Sequence, residues 1–328
     1  MVFEFIEITN KQGLTAQLLP FGATLARLTF PDKNGKCQDV ILGFDTVEEF
    51  EKDTASIGKT VGRVANRIRN GEVYFDGKKY ELEKNNGPHF LHGGSKGIGN
   101  RLWEIVRHSN RSVSFSISTD QEIDGLPGNA KIDVTYTVND RNQLIIEHYA
   151  TCTKAGLIAL TNHAYWNLDG SDNVTEHVLE VDANEYVECD STDCPTGAIL
   201  SVKNTIYDFT TARKLETIRD NDGVLNIDND LVTAVQVVPS TPKVNLRLFS
   251  EKSGIELTIR SSYPTIHLYA SKYLDAVGRG NVKYGQGKGL AIEPQFHSAS
   301  PNFKNFPDVT LRPGENYSHE IVYSLSNI

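Results

Sequence analysis

The chain has 328 residues, 39% hydrophobic and 23% charged, with a formal net charge of -9 at pH 7 and a pI near 5.5. That composition excludes a disordered chain and leaves enough apolar residues for a sizeable core, while the acidic balance, without any run of Lys and Arg, excludes a phosphate-backbone partner. Met1-Val2-Phe3-Glu4-Phe5 lacks the basic start and apolar run of a signal peptide, and no stretch approaches the roughly 18 apolar residues of a membrane span, so the sequence predicts a cytoplasmic protein with no nucleic-acid or membrane partner.

Short β-prone runs follow one another along the chain. Thr24 to Phe30 reads as a strand closed by the turn residues Pro31-Asp32-Lys33-Asn34-Gly35, and Thr46 to Lys52 reads as one or two helical turns. Val73 to Tyr80 places Asp76-Gly77 between two β-prone halves, a hairpin signal. Further strands are predicted at Val113 to Ser118, Ile132 to Val138, Leu144 to Tyr149, Val244 to Phe249, Ile255 to Arg260 and Ile321 to Leu325, separated by turns such as Asp124-Gly125-Leu126-Pro127-Gly128 and Asp169-Gly170-Ser171-Asp172. No helices alternate with these strands as a parallel sheet requires, and no Pro- or Ser-rich linker divides the chain. The expectation is an all-β, antiparallel single domain over residues 1–328, a large sandwich or barrel. Cys37, Cys152, Cys189 and Cys194 show no CxxC pattern and read as free thiols.

Polar clusters stand out against this background. Gly62 to Ile68 carries Arg63 and Arg67 four residues apart, and Arg offers a planar fork of donors suited to hydroxyls or carboxylates. Asn85 to Gly94 ends in His92-Gly93-Gly94, where paired glycines let the backbone turn close to a ligand; His89 and His92 lack the acidic partners of a metal site, so no metal or cofactor is expected. In Thr161 to Gly170, period two puts His163, Tyr165 and Asn167 on one strand face and Ala164, Trp166 and Leu168 on the other, predicting a core face and a polar face that fits a cleft or solvent. Asn226 to Leu231 reads as a polar turn with acidic side chains, and the glycine-rich run from Gly278 to Gly289 precedes a strand, so it is no phosphate cradle. That strand, Gly289 to Gln295, sets Glu293 beside Gly289 and Ala291, with Leu290 and Ile292 opposite, and is expected to end at Pro294.

Taken in order, Asn66-Arg67-Ile68, His92-Gly93-Gly94, Asn162 to Leu168, Glu293-Pro294-Gln295 and Leu311-Arg312-Pro313-Gly314-Glu315 resemble the aldose 1-epimerase, or galactose mutarotase, family. The resemblance runs nearly end to end, including Phe21 to Leu25 and Asp39 to Phe44, and implies a large antiparallel β-sandwich with a small-molecule sugar as partner. It also implies roles: Glu293 as general base, His163 as general acid, and Arg67, His92 and Asp228, with Asn66 and His267 nearby, holding the sugar. A carboxylate near its reference pKa of about 4.3 and an imidazole near about 6.5 suit such an exchange of roles.

The chain departs from the family pattern twice. Asp228-Asn229-Asp230 stands where the family commonly has Asp-His-Asn, and His267 stands where it often has Gln, a position expected to titrate near neutrality if it lines the pocket. Two other readings share the fold: a hexose-6-phosphate mutarotase, with Arg63, Arg67 and Arg69 as its phosphate cluster, and a sugar-binding module without turnover. A glycoside hydrolase would need two carboxylates such as Glu293 and Asp228, and would leave the histidines unexplained.

Overall fold

Burial alternates along strand Asn129–Asn139: Ala130, Ile132, Val134, Tyr136 and Val138 are buried and the residues between them are partly or fully exposed. One face of this strand therefore belongs to the core. A fully buried Ile or Val contributes about 1.5–3 kcal/mol, so Ile132, Val134 and Val138 together fix which way the strand faces. The structure, a computed structural model, describes residues 4–233 and 243–328.

Among the described residues, Asn129–Asn139 lies within a nine-stranded antiparallel sheet. Its order is Glu104–Ser109, Ser112–Asp120, Asn129–Asn139, Gln143–Thr151, Tyr317–Asn327, Ile255–Ser261, Lys243–Phe249, Val178–Val181 and Arg213–Lys214. Opposite it lies a six-stranded sheet, in the order Tyr165–Trp166, Leu290–Gln295, Thr265–Tyr269, Asp228–Thr233, Ala183–Cys189 and Pro195–Ser201. Trp166 meets Tyr323 of the larger sheet edge to face, with ring centroids 4.9 Å apart, and one hydrophobic cluster draws residues from both sheets. The β-sandwich expectation holds.

The inner face of the smaller sheet carries Trp166, Leu290, Ile292, Ile266, Leu268 and Leu231. By the same alternation, its outer face carries Tyr165, Ala291, Glu293, Tyr269, His267, Asp228 and Asp230. Part of that outer face, at Tyr165 and Ala291, is covered by Leu19 and Ala26 of a four-stranded meander, Ile6–Thr9, Thr15–Leu19, Thr24–Pro31 and Cys37–Asp39, and by Phe50 of helix Val47–Lys52. Thr46 caps the helix and Glu49 completes a capping box; Phe50 fills a second, smaller apolar cluster with Phe44, Tyr165 and Ala291.

The predicted hairpin is present as Glu72–Phe75 and Lys78–Glu81, with Asp76 and Gly77 at φ 47° and 77°, the left-handed pair that a tight primed turn requires. Two expectations change. The supposed turn at Asn226 to Leu231 is in large part the strand Asp228–Thr233, because its acidic side chains find hydrogen-bond partners on neighbouring strands that the local sequence does not reveal. The strand bearing Glu293 does not stop at Pro294: it runs to Gln295, with Pro294 opposite Ile266 and its carbonyl accepting from Thr161 Oγ1 at 2.9 Å. No helix among the described residues is long and apolar enough to cross a membrane.

Candidate active site

Glu293, His163, Arg67, His92, Asp228, Asn66 and His267 all line one cavity of about 460 Å³ on the outer face of the six-stranded sheet. A larger groove of about 770 Å³ beside Phe303 and Phe306 contains none of them.

Glu293 and His163 face each other with Oε1 and Nε2 3.3 Å apart, their side chains 1% and 5% exposed. His163 is fixed by its backbone, whose N–H donates to the Lys59 carbonyl at 2.9 Å while its carbonyl accepts from Gly58 N at 2.9 Å. The side chains are much less engaged. Glu293 Oε2 and His163 Nδ1 are buried and have no protein partner. Burial raises Glu293 to about 8, opposed by the positive His267 and reinforced by Asp228 and Asp230; burial lowers His163 to about 3. Both groups thus rest in neutral form, unlike the ordinary values expected from the sequence, because neither finds enough hydrogen bonds to offset lost hydration.

His92 shows how local backbone selects a tautomer. Asn66 N donates to His92 Nδ1 at 3.2 Å and His92 N donates to the Asn66 carbonyl at 3.1 Å, tying two residues that both sit at positive φ, 60° and 52°. Desolvation keeps His92 neutral, so with Nδ1 accepting, the ring proton lies on Nε2 and is free to donate. Gly93 makes the turn possible: a Cβ there would fall 1.9 Å from the Gly62 carbonyl oxygen.

Around Asp228 the charged groups are paired with one another. Arg67 donates from Nε to Asn86 Oδ1 at 3.0 Å and from Nη2 to Asp228 Oδ2 at 3.4 Å. His267 lies 2.9 Å through Nε2 from Asp228 Oδ1 and 2.8 Å through Nδ1 from Asp230 Oδ1. Burial works against charge on His267, but its bonds to both aspartates outweigh it and hold the imidazole up at about 10; it does not titrate near neutrality as expected. Asp228 is likewise buried, yet His267 and Arg67 bring it down to about 2.

Some sequence signals lead elsewhere. Arg63 is fully buried in the interior, bonded to Asp124 and the carbonyls of Leu126 and Pro127, and Arg69 pairs with Asp190, so the proposed phosphate cluster does not converge. Asn167 leaves the row of His163 and Tyr165 to bond the carbonyls of Ser171 and Lys288, and His89 bonds Asn70 and Thr192. Residues that sequence reasoning passed over include Tyr269, Phe44 and Asn86, which line the cavity; an isolated aromatic or amide in a strand or loop carries no mark of this role. No group of three or more His, Cys, Asp or Glu among the described residues is arranged to hold a metal ion.

A family model described as aldose 1-epimerase matches residues 4–324. The chain is 33% identical over 322 residues to aldose 1-epimerase of Escherichia coli K12, covering 96% of this chain and 93% of that protein. It is also 33% identical over 318 residues to galactose mutarotase of Bos taurus, covering 95% and 91%. Among solved structures, the GalM/aldose epimerase homologue from C. elegans matches with a TM-score of 0.95 at 64% identity, over 99% of each chain. Galactose 1-epimerase from Lactobacillus acidophilus matches with a TM-score of 0.82 at 22% identity, over 98% of this chain and 93% of that one, a likeness of fold.

Proposed function

The chain belongs to the aldose 1-epimerase family, and from that premise we propose that it is an isomerase interconverting the α and β anomers of free hexoses, galactose and glucose among them. The observation that carries the site assignment is the buried Glu293–His163 pair, 3.3 Å apart, with an unpartnered polar atom on each residue. An orphaned polar atom in a dry site costs about 1–3 kcal/mol, and a ligand that hydrogen-bonds there removes that penalty.

In this reading Glu293 takes the proton of the C1 hydroxyl while His163 gives one to the ring oxygen. The bond from C1 to the ring oxygen breaks and C1 becomes an aldehyde. After rotation about C1–C2, the hydroxyl formed from the ring oxygen attacks the other face of the aldehyde; His163 takes its proton back and Glu293 returns a proton to the C1 oxygen. One proton enters and one leaves, so the pair needs to hold a single proton in total. Burial places that proton on Glu293 at rest. A hydrogen bond from the C1 hydroxyl favours the ionised carboxylate, drawing the proton across to His163. Asp228 accepts from sugar hydroxyls, while Arg67 and the Nε2–H of neutral His92 donate to them. Tyr165 and Tyr269, whose rings lie 6.1 Å apart, offer apolar surface to the ring's C–H face.

The phosphosugar reading loses support because Arg63 and Arg69 are committed elsewhere. A binding module has no use for an under-bonded acid–base pair, which weakens the fold without adding recognition. Polarimetry of freshly dissolved α-D-galactose and α-D-glucose tests the proposal. Catalysed relaxation above the buffer rate is expected, and no acceleration with any free aldohexose, or acceleration with hexose 6-phosphates alone, would overturn it.

A further inference from the structure

His267 differs from every other imidazole lining the cavity, since both of its ring nitrogens lie against carboxylates. Asp230, 1% exposed, can only accept: Oδ2 takes the Ser298 N–H at 2.6 Å, and Oδ1 takes Gln295 Nε2 at 3.2 Å and Ser298 Oγ at 3.0 Å. His267 Nδ1 must therefore donate to it. On the other side, Asp228 accepts from Arg67, and that guanidinium favours its ionised form, so Nε2 must donate as well. A neutral imidazole has one N–H and would turn a lone pair toward one of the two carboxylates. The geometry demands an imidazolium.

Its position carries the consequence. In the sheet register His267 lies directly across from Glu293 on one side and from Asp230 on the other. Arg67, Asp228, His267 and Asp230 carry formal charges that cancel, so Glu293 is buried beside a balanced set. Among the other groups near Glu293, His163 and His92 are neutral by desolvation, Tyr165 and Tyr269 are neutral because burial raises both phenols, and the buried Asp53 is balanced by Lys59 at 3.6 Å. Deleting the imidazolium would leave Glu293 buried near a net negative charge from Asp228 and Asp230.

We propose that His267 is a positioning residue for the reaction: an imidazolium clamped between Asp230 and Asp228 that orients the Asp228 carboxylate for sugar hydroxyls and supplies the positive charge against which Glu293 ionises. His267 does not exchange protons with the substrate. It acts through Asp228 and Glu293, and this inference rests on the reading of Glu293 as the base.

Three measurements test it. In ¹⁵N-imidazole NMR of the wild-type protein, His267 should show two protonated nitrogens throughout the neutral range, whereas a neutral ring near pH 7.5 overturns the proposal. In His267→Gln, the alkaline limb of kcat/KM for α-D-galactose should move up by about one pH unit or more, as expected for loss of an adjacent charge. The plateau should fall and KM should rise by about tenfold, as expected for a loosened charged hydrogen bond. A loss of packing alone would lower the rate without moving the limb. In the double variant His267→Gln/Asp230→Asn, which removes one charge of each sign, the limb should return most of the way to its wild-type position. An unmoved limb in the single variant, or a limb equally displaced in the double, overturns the proposal. The NMR result does not depend on turnover, so failure of the Glu293 assignment, seen as wild-type rates in Glu293→Gln, is distinguishable from failure of this one.

Discussion

Two histidine–carboxylate groups share one cavity and are held in opposite states. His163 and Glu293 lie 3.3 Å apart with an unpartnered atom on each, and both are driven to their neutral forms. His267 lies between Asp228 and Asp230 at 2.9 and 2.8 Å, and the group stays ionised. Burial is similar in the two, so it does not make the difference. The number of hydrogen bonds per charge does: Asp230 accepts four, counting His267, while Glu293 Oε2 accepts none. A saturated group can bind and hold geometry, but it has no proton to exchange; an under-bonded one is poised to exchange one.

The largest effect should come from breaking the under-bonded pair. Glu293→Gln and His163→Ala should each lower the polarimetric rate by about 10²–10⁴-fold with the β-sheet circular dichroism unchanged. Wild-type rates in either would remove that residue from the chemistry. Next is the saturated group. Asp228→Asn removes the negative charge that Arg67 and His267 share and turns one of its two accepting oxygens into a donor, and KM should rise by about ten- to a hundredfold, the worth of a charged hydrogen bond; an unchanged KM would show that the carboxylate does not hold the sugar.

Stability separates the two groups in another way. Glu293 has a folded-state value of about 8, above its ordinary 4.5, so the native state binds a proton that the unfolded chain releases. Its contribution is fully present below about 4.5, and is lost as pH rises through about 8. Glu293→Gln should therefore flatten the fall in unfolding free energy across that window, and urea titrations at pH 5 and pH 8.5 measure the slope. Equal slopes in the variant and the wild type would mean that Glu293 is not protonated at rest. The smallest effect belongs to Asn86→Ala, which removes one bond to Arg67 Nε; KM should rise by about fivefold, as for a bond worth about 1 kcal/mol.

Much of the fold was legible because alternation is a local signal. Ile132 to Val138, Ile255 to Arg260 and the Asp76-Gly77 hairpin declare themselves within a few residues. Asp228–Thr233 did not, since acidic residues disfavour strands and what holds Asp230 there, His267 and Ser298, lies 37 and 68 residues further on. The seven candidate site residues converge on one cavity, and the family resemblance that singled them out rested on motifs spread along the whole chain. Their protonation was not legible. Arg63 and Arg67 looked equivalent four residues apart, yet one turns inward to Asp124 and the other outward to Asp228, and no periodicity distinguishes them.

The most direct test of the account is the pH dependence of kcat/KM for α-D-galactose mutarotation by the wild-type protein. A pair that shares one proton, with Glu293 near 8 and His163 near 3, predicts a flat profile from about pH 5 to 7 and a decline above about 8 as the last proton leaves. A rate that instead falls with acid through about 6.5, the ordinary histidine value, would contradict it.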